Sequence, residues 1–305
     1  MRAWRMVPAA LLAFGAGCAT PEYAVRTTPV PEESTEALQI ERTISQVQAE
    51  AFNKQGARAV GASERISGFM VQPLVDRLSR VTERPNLRYR AYRYEDSDPN
   101  AAALADGRIY ISTGLLKYLA SRGSREDELA FILGHELAHT VAQHLVRRYR
   151  QLAQQEMWLG LASAGLSAAT RNAGAQGQQV GELVLEAAGL ARNVVNSNYS
   201  QADELEADQL GIQYVMRAGY DPGAALDLLE DFARFDSPSP FLRTHPYITE
   251  RRAQLARYLG EIGRLPANNR EAEIRRLRDT QRLYPPESVS WKNLRREIET
   301  LQSGR

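Results

Sequence analysis

The chain has 305 residues, of which 43% are hydrophobic and 25% are charged, and its formal net charge is +1. These values are ordinary for a soluble globular protein, and they exclude collagen-like, wholly disordered and polytopic membrane chains. The near-zero net charge provides no basic field to attract nucleic acid. The single cysteine excludes an intramolecular disulfide framework and a cysteine-based metal cluster.

The N-terminal residues have the pattern of a bacterial export signal. Two arginines precede an apolar stretch, Val7–Ala16, that is too short to span a bilayer. Cys18 follows at the position of the lipidated cysteine in bacterial lipoproteins, although Gly15 stands where these signals usually have a branched apolar residue. We therefore predict a lipoprotein signal over residues 1–18 and a lipid-anchored protein at the outer membrane, facing the periplasm. The alternative is an ordinary cleaved signal and a soluble periplasmic protein.

The rest of the chain predicts a mainly α-helical fold with a small β-sheet, which is the α+β class. A proline-containing tether over residues 19–31 leads into a domain over residues 32–259, and a helical extension occupies residues 260–305. Residues 157–191 are rich in glycine and alanine; a buried helical hairpin is the favoured interpretation, and a mobile lid or a membrane-surface segment are the alternatives. The first predicted elements are helices over residues 32–52 and 70–81 and strands over residues 87–94 and 108–112. Two capped helices follow: one begins at Ser124 and runs to about Arg150, and the other begins at Ser200 and ends near Gly219. A terminal helix carries Leu294, Ile298 and Leu301.

The predicted helix after Ser124 contains an HExxH motif, His135-Glu136-Leu137-Ala138-His139. Residues four apart lie on one helical face, so both imidazoles can bind one zinc ion. Glu136 is rotated by about 100° from His135, which lets its carboxylate reach a zinc-bound water and act as a general base. A chance match on a solvated helix is the alternative, but the neighbouring residues are too apolar for such a helix. These neighbours are Leu129, Phe131, Ile132, Leu133, Leu137 and Val141.

A catalytic zinc site needs a third protein ligand and one open position. Glu204 and Asp208 lie four residues apart on the second capped helix, and they are candidates for a zinc ligand and for a carboxylate that holds a ligand histidine. Spacing alone slightly favours a solvated acidic stretch, because Asp203 and Glu206 lie in the same segment. His144, five residues after the second histidine of the motif, suits a supporting or structural role better than direct ligation.

Taken together, HELAH at 135–139 and ELEAD at 204–208 resemble the HtpX and CAAX-prenyl-protease family of zinc metalloendopeptidases, in particular its soluble exported bacterial branch. The resemblance covers roughly residues 32–259. It includes GRIYISTGLL at 107–116 and the sequence Thr244-His245-Pro246 followed by Arg251. Residues 101–106 and Gln201 depart from the family pattern, which leaves loop geometry and substrate preference open.

The resemblance implies a zincin-like metallopeptidase domain in which the HExxH helix packs against a second ligand-bearing helix. It also implies one zinc ion per chain and a water molecule activated by Glu136. Asp208 and Arg251 would support the metal site. The implied zinc ligands are His135, His139 and Glu204.

His245 has two candidate roles in peptide hydrolysis. It would stabilise the anionic tetrahedral intermediate, or it would occupy the open zinc position in a latent resting enzyme. A loop histidine beside a turn proline is the alternative without catalytic meaning. The strand Ile109–Ser112 is predicted to be an edge strand beside the site, where extended substrates would add by backbone pairing. That arrangement predicts broad specificity for unfolded or extended polypeptides.

Three functions are consistent with these features. The leading prediction is an exported zinc endopeptidase that hydrolyses unfolded or misassembled envelope proteins. Its further predicted partner is envelope assembly machinery. We expect it to contact the membrane only through a lipid anchor and not to bind nucleic acid. The second is an assembly or chaperone-like factor with a latent or structural zinc site, which a closed four-ligand site including His245 would favour. The third is a helical lipoprotein scaffold in which HELAH is accidental, which the absence of stoichiometric zinc would favour.

Overall fold

The computed structural model describes residues 29–121, 123, 126–167, 189–195, 197–233, 244–264, 274, 277–278, 281–282 and 284–303. The predicted export signal with Cys18, the predicted cap at Ser124 and most of the glycine-rich segment lie outside these residues. Each helix in the described part of the chain is too short or too polar to cross a membrane.

Helices dominate the fold, as predicted, and four short strands accompany them. Helices α1 to α5 cover Thr35–Lys54, Val71–Ser79, Thr113–Ser121, Glu126–Val141 and His144–Ser167, and helices α6 to α9 cover Gln201–Arg217, Ala224–Phe232, Ile248–Glu261 and Val289–Ser303. Strands β1 to β4 cover Arg58–Ala59, Arg90–Tyr94, Ala101–Ala103 and Arg108–Ser112.

The strands form one mixed sheet in the order β1-β2-β4-β3. β2 and β4 pair in parallel, whereas β1 and β3 run antiparallel to their neighbours. β4 is internal, with Ile109, Tyr110 and Ile111 all buried, so the prediction that Ile109–Ser112 forms an edge strand is wrong. The edge strand beside the candidate site is β3, whose three alanines lack the β-branched and aromatic residues that identify a strand in a sequence.

Helices cover both faces of the sheet. Ala91, Ile109 and Ile111 face the main core, which α2, α3, α4 and α6 complete. On the opposite face, Tyr110 stacks on Phe52 of α1 with ring centroids 4.2 Å apart. α1 therefore covers a sheet face that would otherwise expose aromatic side chains.

Two glycines bring the HExxH helix α4 directly against α6. A β-carbon added at Gly134 would lie 2.9 Å from the carbonyl oxygen of Gly211, and one added at Gly211 would lie 2.8 Å from the amide nitrogen of His135. Only glycine at both positions lets the two backbones come so close. The predicted packing of the HExxH helix against a second helix is confirmed, and it places ELEAD opposite HELAH.

The predicted helix through the HExxH motif divides in two at Gln143, which has a left-handed backbone with φ of 54°. Its side-chain nitrogen donates to the Glu32 carbonyl and to Glu41 Oε1, each at 2.8 Å. Its side-chain oxygen accepts from the Glu32 amide at 2.7 Å. The prediction of one continuous helix is wrong, since α4 ends at Val141 and a separate helix, α5, begins at His144. Neither glycine nor proline marks this turn in the sequence.

The helix that carries ELEAD begins and ends as predicted. Ser200 accepts from the Asp203 amide and donates its own amide to the Asp203 carboxylate, which completes a capping box. Gly219, with φ of 80°, follows the last turn. Near the C-terminus, α9 packs against the main core through Ile298 and Leu301, as its apolar spacing predicts.

Candidate metal centre

α4 presents the two histidines of HExxH on one buried face. His135 and His139 are each at most 2% exposed, and their Nε2 atoms lie 3.0 Å apart. Glu204 on α6 faces them across the glycine crossing. Its Oε1 is 3.5 Å from His139 Nε2, and its Oε2 is 3.6 Å from His135 Nε2.

His245 approaches the same point from the loop before α8. Its Nδ1 lies 3.1 Å from His135 Nε2 and 3.1 Å from Glu204 Oε1. One ligand atom from each of these residues lies within 4.8 Å of every other, and all four side chains are buried. The cluster could therefore hold a metal ion.

The donor set fits zinc in kind and in spacing. Neutral imidazole nitrogen and carboxylate oxygen are its usual ligands, and bonds of about 2.0–2.1 Å to a tetrahedral ion place ligand atoms roughly 3.3 Å apart. The separations between His135, His139 and Glu204 bracket that value. A carboxylate cannot donate a proton, so the 2.8 Å contact between His135 Nδ1 and Asp208 Oδ1 fixes the proton on Nδ1 and leaves Nε2 free as a ligand atom.

Arg251 on α8 ties these groups together. Its Nε and Nη2 donate to the two Asp208 oxygens, each at 2.7 Å, and its Nη1 donates to the His245 carbonyl at 3.2 Å. The same Nη1 lies 2.8 Å from Glu204 Oε2. The buried Arg251 guanidinium thus contacts Asp208, which holds His135, and it also contacts Glu204 and the loop that carries His245.

These contacts keep the buried carboxylates charged. Burial opposes ionisation, yet His245 and Arg251 hold the pKa of Glu204 well below its usual range, and Arg251 with His135 lowers the pKa of Asp208. Burial likewise acts to lower the pKa of His245, but Glu204 and Glu136 outweigh it and raise that pKa. Burial dominates at His139, whose pKa is well below its usual value.

Glu136 lies one residue around α4, beside the metal-binding face. Its Oε2 accepts from the Ala103 amide of β3 at 2.8 Å, and its Oε1 is buried, 3.4 Å from His245 Nε2 and without a hydrogen-bond partner among the described residues. A carboxylate with one oxygen held and the other oriented into the site is arranged to accept a proton from a bound water.

Two residues around His139 complete the centre. The ring of Tyr199 stacks on His139 with centroids 3.8 Å apart, and its distance to the His245 ring is 5.4 Å. Sequence reasoning missed Tyr199; an aromatic residue directly before the Ser200 cap was the available signal. His144 Nδ1 lies 2.7 Å from His139 Nδ1, and His144 is not part of the cluster formed by the four candidate donors.

A cavity of about 160 Å³ opens beside these groups. It reaches Glu136 and His245, and its walls include Phe52 of α1, Ala103 of β3 and Leu145 of α5. Most of this lining is apolar, so the cavity suits an apolar side chain held next to the candidate base.

A HExxH helix, a carboxylate from a facing helix and a small sheet whose edge meets the glutamate define a zincin-like metallopeptidase. The sequence model of peptidase family M48 matches residues 70–259, and the chain belongs to that family, whose members are zinc metallopeptidases. The family predicted from the motifs is confirmed, and membership of this family supports the predicted class of enzyme, a zinc metalloendopeptidase.

Curated relatives share part of this chain. The beta-barrel assembly-enhancing protease of Yersinia pestis is 34% identical over 164 residues, which is 51% of this chain and 31% of the relative. The metalloprotease LoiP of Escherichia coli K12 is 29% identical over 52% of this chain and 58% of its own length. The mitochondrial metalloendopeptidase OMA1 of Schizosaccharomyces pombe is 26% identical over 63% of this chain and 52% of its own length. The chain spans less than a third of the Yersinia relative's length.

Proposed function

We propose that the chain is a zinc-dependent endopeptidase that hydrolyses peptide bonds in unfolded or misassembled envelope proteins. The observation that carries the proposal is the convergence of His135, His139 and Glu204 beside the Glu136 carboxylate, one oxygen of which has no hydrogen-bond partner in the described part of the chain. His135, His139 and Glu204 would hold the zinc ion, which supplies a Lewis acid and an acidified water when bound.

Glu136 would take the proton of the attacking water on Oε1 and pass it to the leaving amine. The Ala103 amide holds the other oxygen, so the carboxylate cannot turn away from the reacting atoms. Asp208 and Arg251 would keep His135 oriented through the contacts described above.

The sheet edge supports extended polypeptides as substrates. Among the described strands β3 pairs with β4 alone, and Ala103 on the other side of β3 contacts Glu136. A peptide added along β3 would therefore run past the candidate base, and backbone pairing reads little of its sequence. The apolar cavity would accept one side chain of that peptide.

Glu136→Gln is the first test of this function. The amide cannot take a proton from water, so we expect casein cleavage by the full chain to fall by about 10²–10⁴-fold while bound zinc is retained. Glu126→Gln makes the same chemical change on an exposed residue of the same helix and should leave cleavage unchanged. Equal cleavage by wild type and Glu136→Gln would contradict the proposal.

Relatives from Yersinia pestis and Escherichia coli K12 are named beta-barrel assembly-enhancing proteases, and this motivates the substrate class. We expect an unfolded outer-membrane β-barrel protein to be cleaved and the same protein folded in detergent to resist cleavage.

Cys18 would anchor the enzyme to the outer membrane on the periplasmic side. Radiolabelled palmitate should label the wild-type chain in bacterial cells and should not label Cys18→Ser.

The second candidate function is an assembly or chaperone-like factor with a closed metal site. The position of His245 among the donor atoms is the observation that favours it. Stoichiometric zinc together with client binding and no cleavage, by either wild type or His245→Ala, would support this function over the endopeptidase.

A further inference from the structure

The two histidines of HExxH have different partners behind them. His135 contacts a carboxylate directly, at 2.8 Å from Asp208. His139 instead contacts a second histidine, with its Nδ1 2.7 Å from Nδ1 of His144. His144 is 2% exposed, and its Nε2 lies 3.2 Å from Oε2 of Glu206 on α6.

The order of these contacts determines which nitrogen carries each proton. The Glu206 carboxylate only accepts, so Nε2 of His144 donates to it. A neutral imidazole has one N–H, which leaves Nδ1 of His144 as an acceptor. The proton in the 2.7 Å contact therefore belongs to Nδ1 of His139. His139 Nε2, which lies in the candidate metal site, then has its lone pair free.

We propose that His144 and Glu206 are positioning residues for the metal centre, which set the tautomer and the ring orientation of His139. A ligand histidine usually donates the N–H of its second ring nitrogen to a carboxylate, a carbonyl or water. Here the neutral imidazole of His144 accepts that hydrogen bond, and His144 in turn donates to the Glu206 carboxylate. The inference rests on the proposed function only through its zinc site and does not require peptide hydrolysis.

The turn at Gln143 makes this contact possible. On one continuous helix, a residue five positions after His139 would point about 140° away from it. The left-handed Gln143 lies between α4 and α5, and His144, the first residue of α5, contacts the ring of His139. The buried hydrogen bonds of the Gln143 side chain hold that turn.

Arg147 completes the arrangement from the same face of α5. Its Nη2 is 2.8 Å from Glu206 and 3.3 Å from Asp203, so a guanidinium already lies against both carboxylates that neighbour His144. The Arg147 guanidinium therefore balances the negative charge of Asp203 and Glu206 in this cluster. We infer that His144, Asp203 and Glu206 support His139 and do not bind a second metal ion.

Two amide substitutions separate the two contacts of His144. The Asn side chain places its amide oxygen where Nδ1 of the imidazole was, so His144→Asn keeps the acceptor for His139 and loses the contact with Glu206. The longer Gln side chain reaches Glu206 but offers no acceptor to His139. His144→Leu removes both contacts.

Zinc affinity, measured by competition with a chromophoric chelator, is the first readout. We expect His144→Gln and His144→Leu to bind zinc about 10–100-fold more weakly than wild type, and His144→Asn to bind close to wild type. Thermal unfolding of the metal-free variants identifies any that fail to fold; the Asn and Gln pair remains decisive if Leu unfolds. Wild-type affinity in His144→Gln, or equal losses in Asn and Leu, would overturn the proposal.

The tautomer is the second readout. The chain has four histidines, so two-bond proton–nitrogen NMR spectra of the histidine-labelled, metal-free chain can be assigned by substitution. We expect His139 to carry its proton on Nδ1 in wild type and in His144→Asn, and to lose that preference in His144→Gln. Wild-type His139 protonated on Nε2 would contradict the assignment, whether or not the chain cleaves peptides.

Discussion

At the scale of single residues, the position of His245 bears on whether the candidate metal centre has an open position. The site needs one open position for catalysis, yet His245 Nδ1 lies 3.1 Å from both His135 Nε2 and Glu204 Oε1, as a fourth ligand would. The distances therefore favour a latent resting state over a role confined to the transition state.

His245→Ala should distinguish these two roles. If the imidazole closes the metal site, its removal should raise casein cleavage severalfold and leave zinc stoichiometry unchanged, because three protein ligands suffice for a catalytic zinc. Loss of cleavage with zinc retained would instead identify His245 as a stabiliser of the tetrahedral intermediate. Unchanged cleavage would remove both roles.

Glu206 should contribute a pH-dependent part of the stability. Burial acts to raise the pKa of Glu206, but the contacts with His144 and Arg147 outweigh it and lower that pKa from 4.5 to about 2. A carboxylate with a depressed pKa stabilises the fold above its unfolded pKa, and that contribution is lost as the pH falls from about 4.5 to about 2. We expect this loss, reduced by solvent screening, to be about 1–2 kcal/mol between pH 7 and pH 3.

Urea unfolding of the metal-free chain at these two pH values measures the effect. Glu206→Gln should show a smaller loss of unfolding free energy than wild type by that amount. Glu50→Gln, an exposed position on α1, should behave as wild type. Equal pH dependence in wild type and Glu206→Gln would show that Glu206 ionises as it does in the unfolded chain.

At the scale of helices, the α4–α6 crossing sets the distance between HELAH and ELEAD. Gly134→Ala would place a β-carbon against the Gly211 carbonyl and force the helices apart. We expect a loss of unfolding free energy of about 1–3 kcal/mol and weaker zinc binding, since Glu204 moves relative to both histidines. Gly189→Ala, in the helical residues 189–195, is the control: a β-carbon there meets none of the described atoms within 4 Å, so the helical propensity of alanine should raise stability slightly.

The helix pattern of the centre could be predicted because its signals are local. The spacing of His135 and His139 requires only a helix, and the Ser200 cap with Asp203 fixes where the Glu204 helix begins. Apolar periodicity likewise identified the helices that pack on the sheet.

The missed features depend on contacts between distant segments. The break at Gln143 is stabilised by Glu32 and Glu41, which lie 111 and 102 residues away in the chain. β3 is a strand because Ala101–Ala103 pair with β4, although alanine has little strand propensity. The contact between His144 and His139 exists only after the break, so a five-residue spacing could not reveal it.

At the scale of the whole molecule, α1 lies outside the family-matched residues 70–259 but helps to build the site. It covers one face of the sheet, and Gln48 and Phe52 line the cavity beside Glu136. Its main polar anchor is Glu41, which contacts Arg84 at 2.7 and 3.1 Å in a buried ion pair. The domain that carries the candidate site therefore depends on a helix that precedes the residues matched by the family model.

Glu41→Ala should release this anchor. Arg84 is 4% exposed and would be left buried without its carboxylate, which costs about 3–5 kcal/mol of unfolding free energy. The double variant Glu41→Leu/Arg84→Met removes both charges and should recover most of that loss. Glu50→Ala, on the exposed face of the same helix, should be near neutral. Urea unfolding compares all four chains, and a double variant as unstable as Glu41→Ala would contradict the reasoning.

The same variants also test whether α1 belongs to the substrate site. None of the candidate zinc ligands lies on α1, but Glu41 also accepts from the Gln143 side chain that holds the turn before His144, so the variants are compared at saturating zinc and at temperatures where Glu41→Ala is folded. The cavity wall from Phe52 would be less firmly held, so KM for peptides with a large apolar residue should rise more than kcat falls. An equal change in KM for peptides with and without that residue would mean that α1 stabilises the fold without selecting substrates.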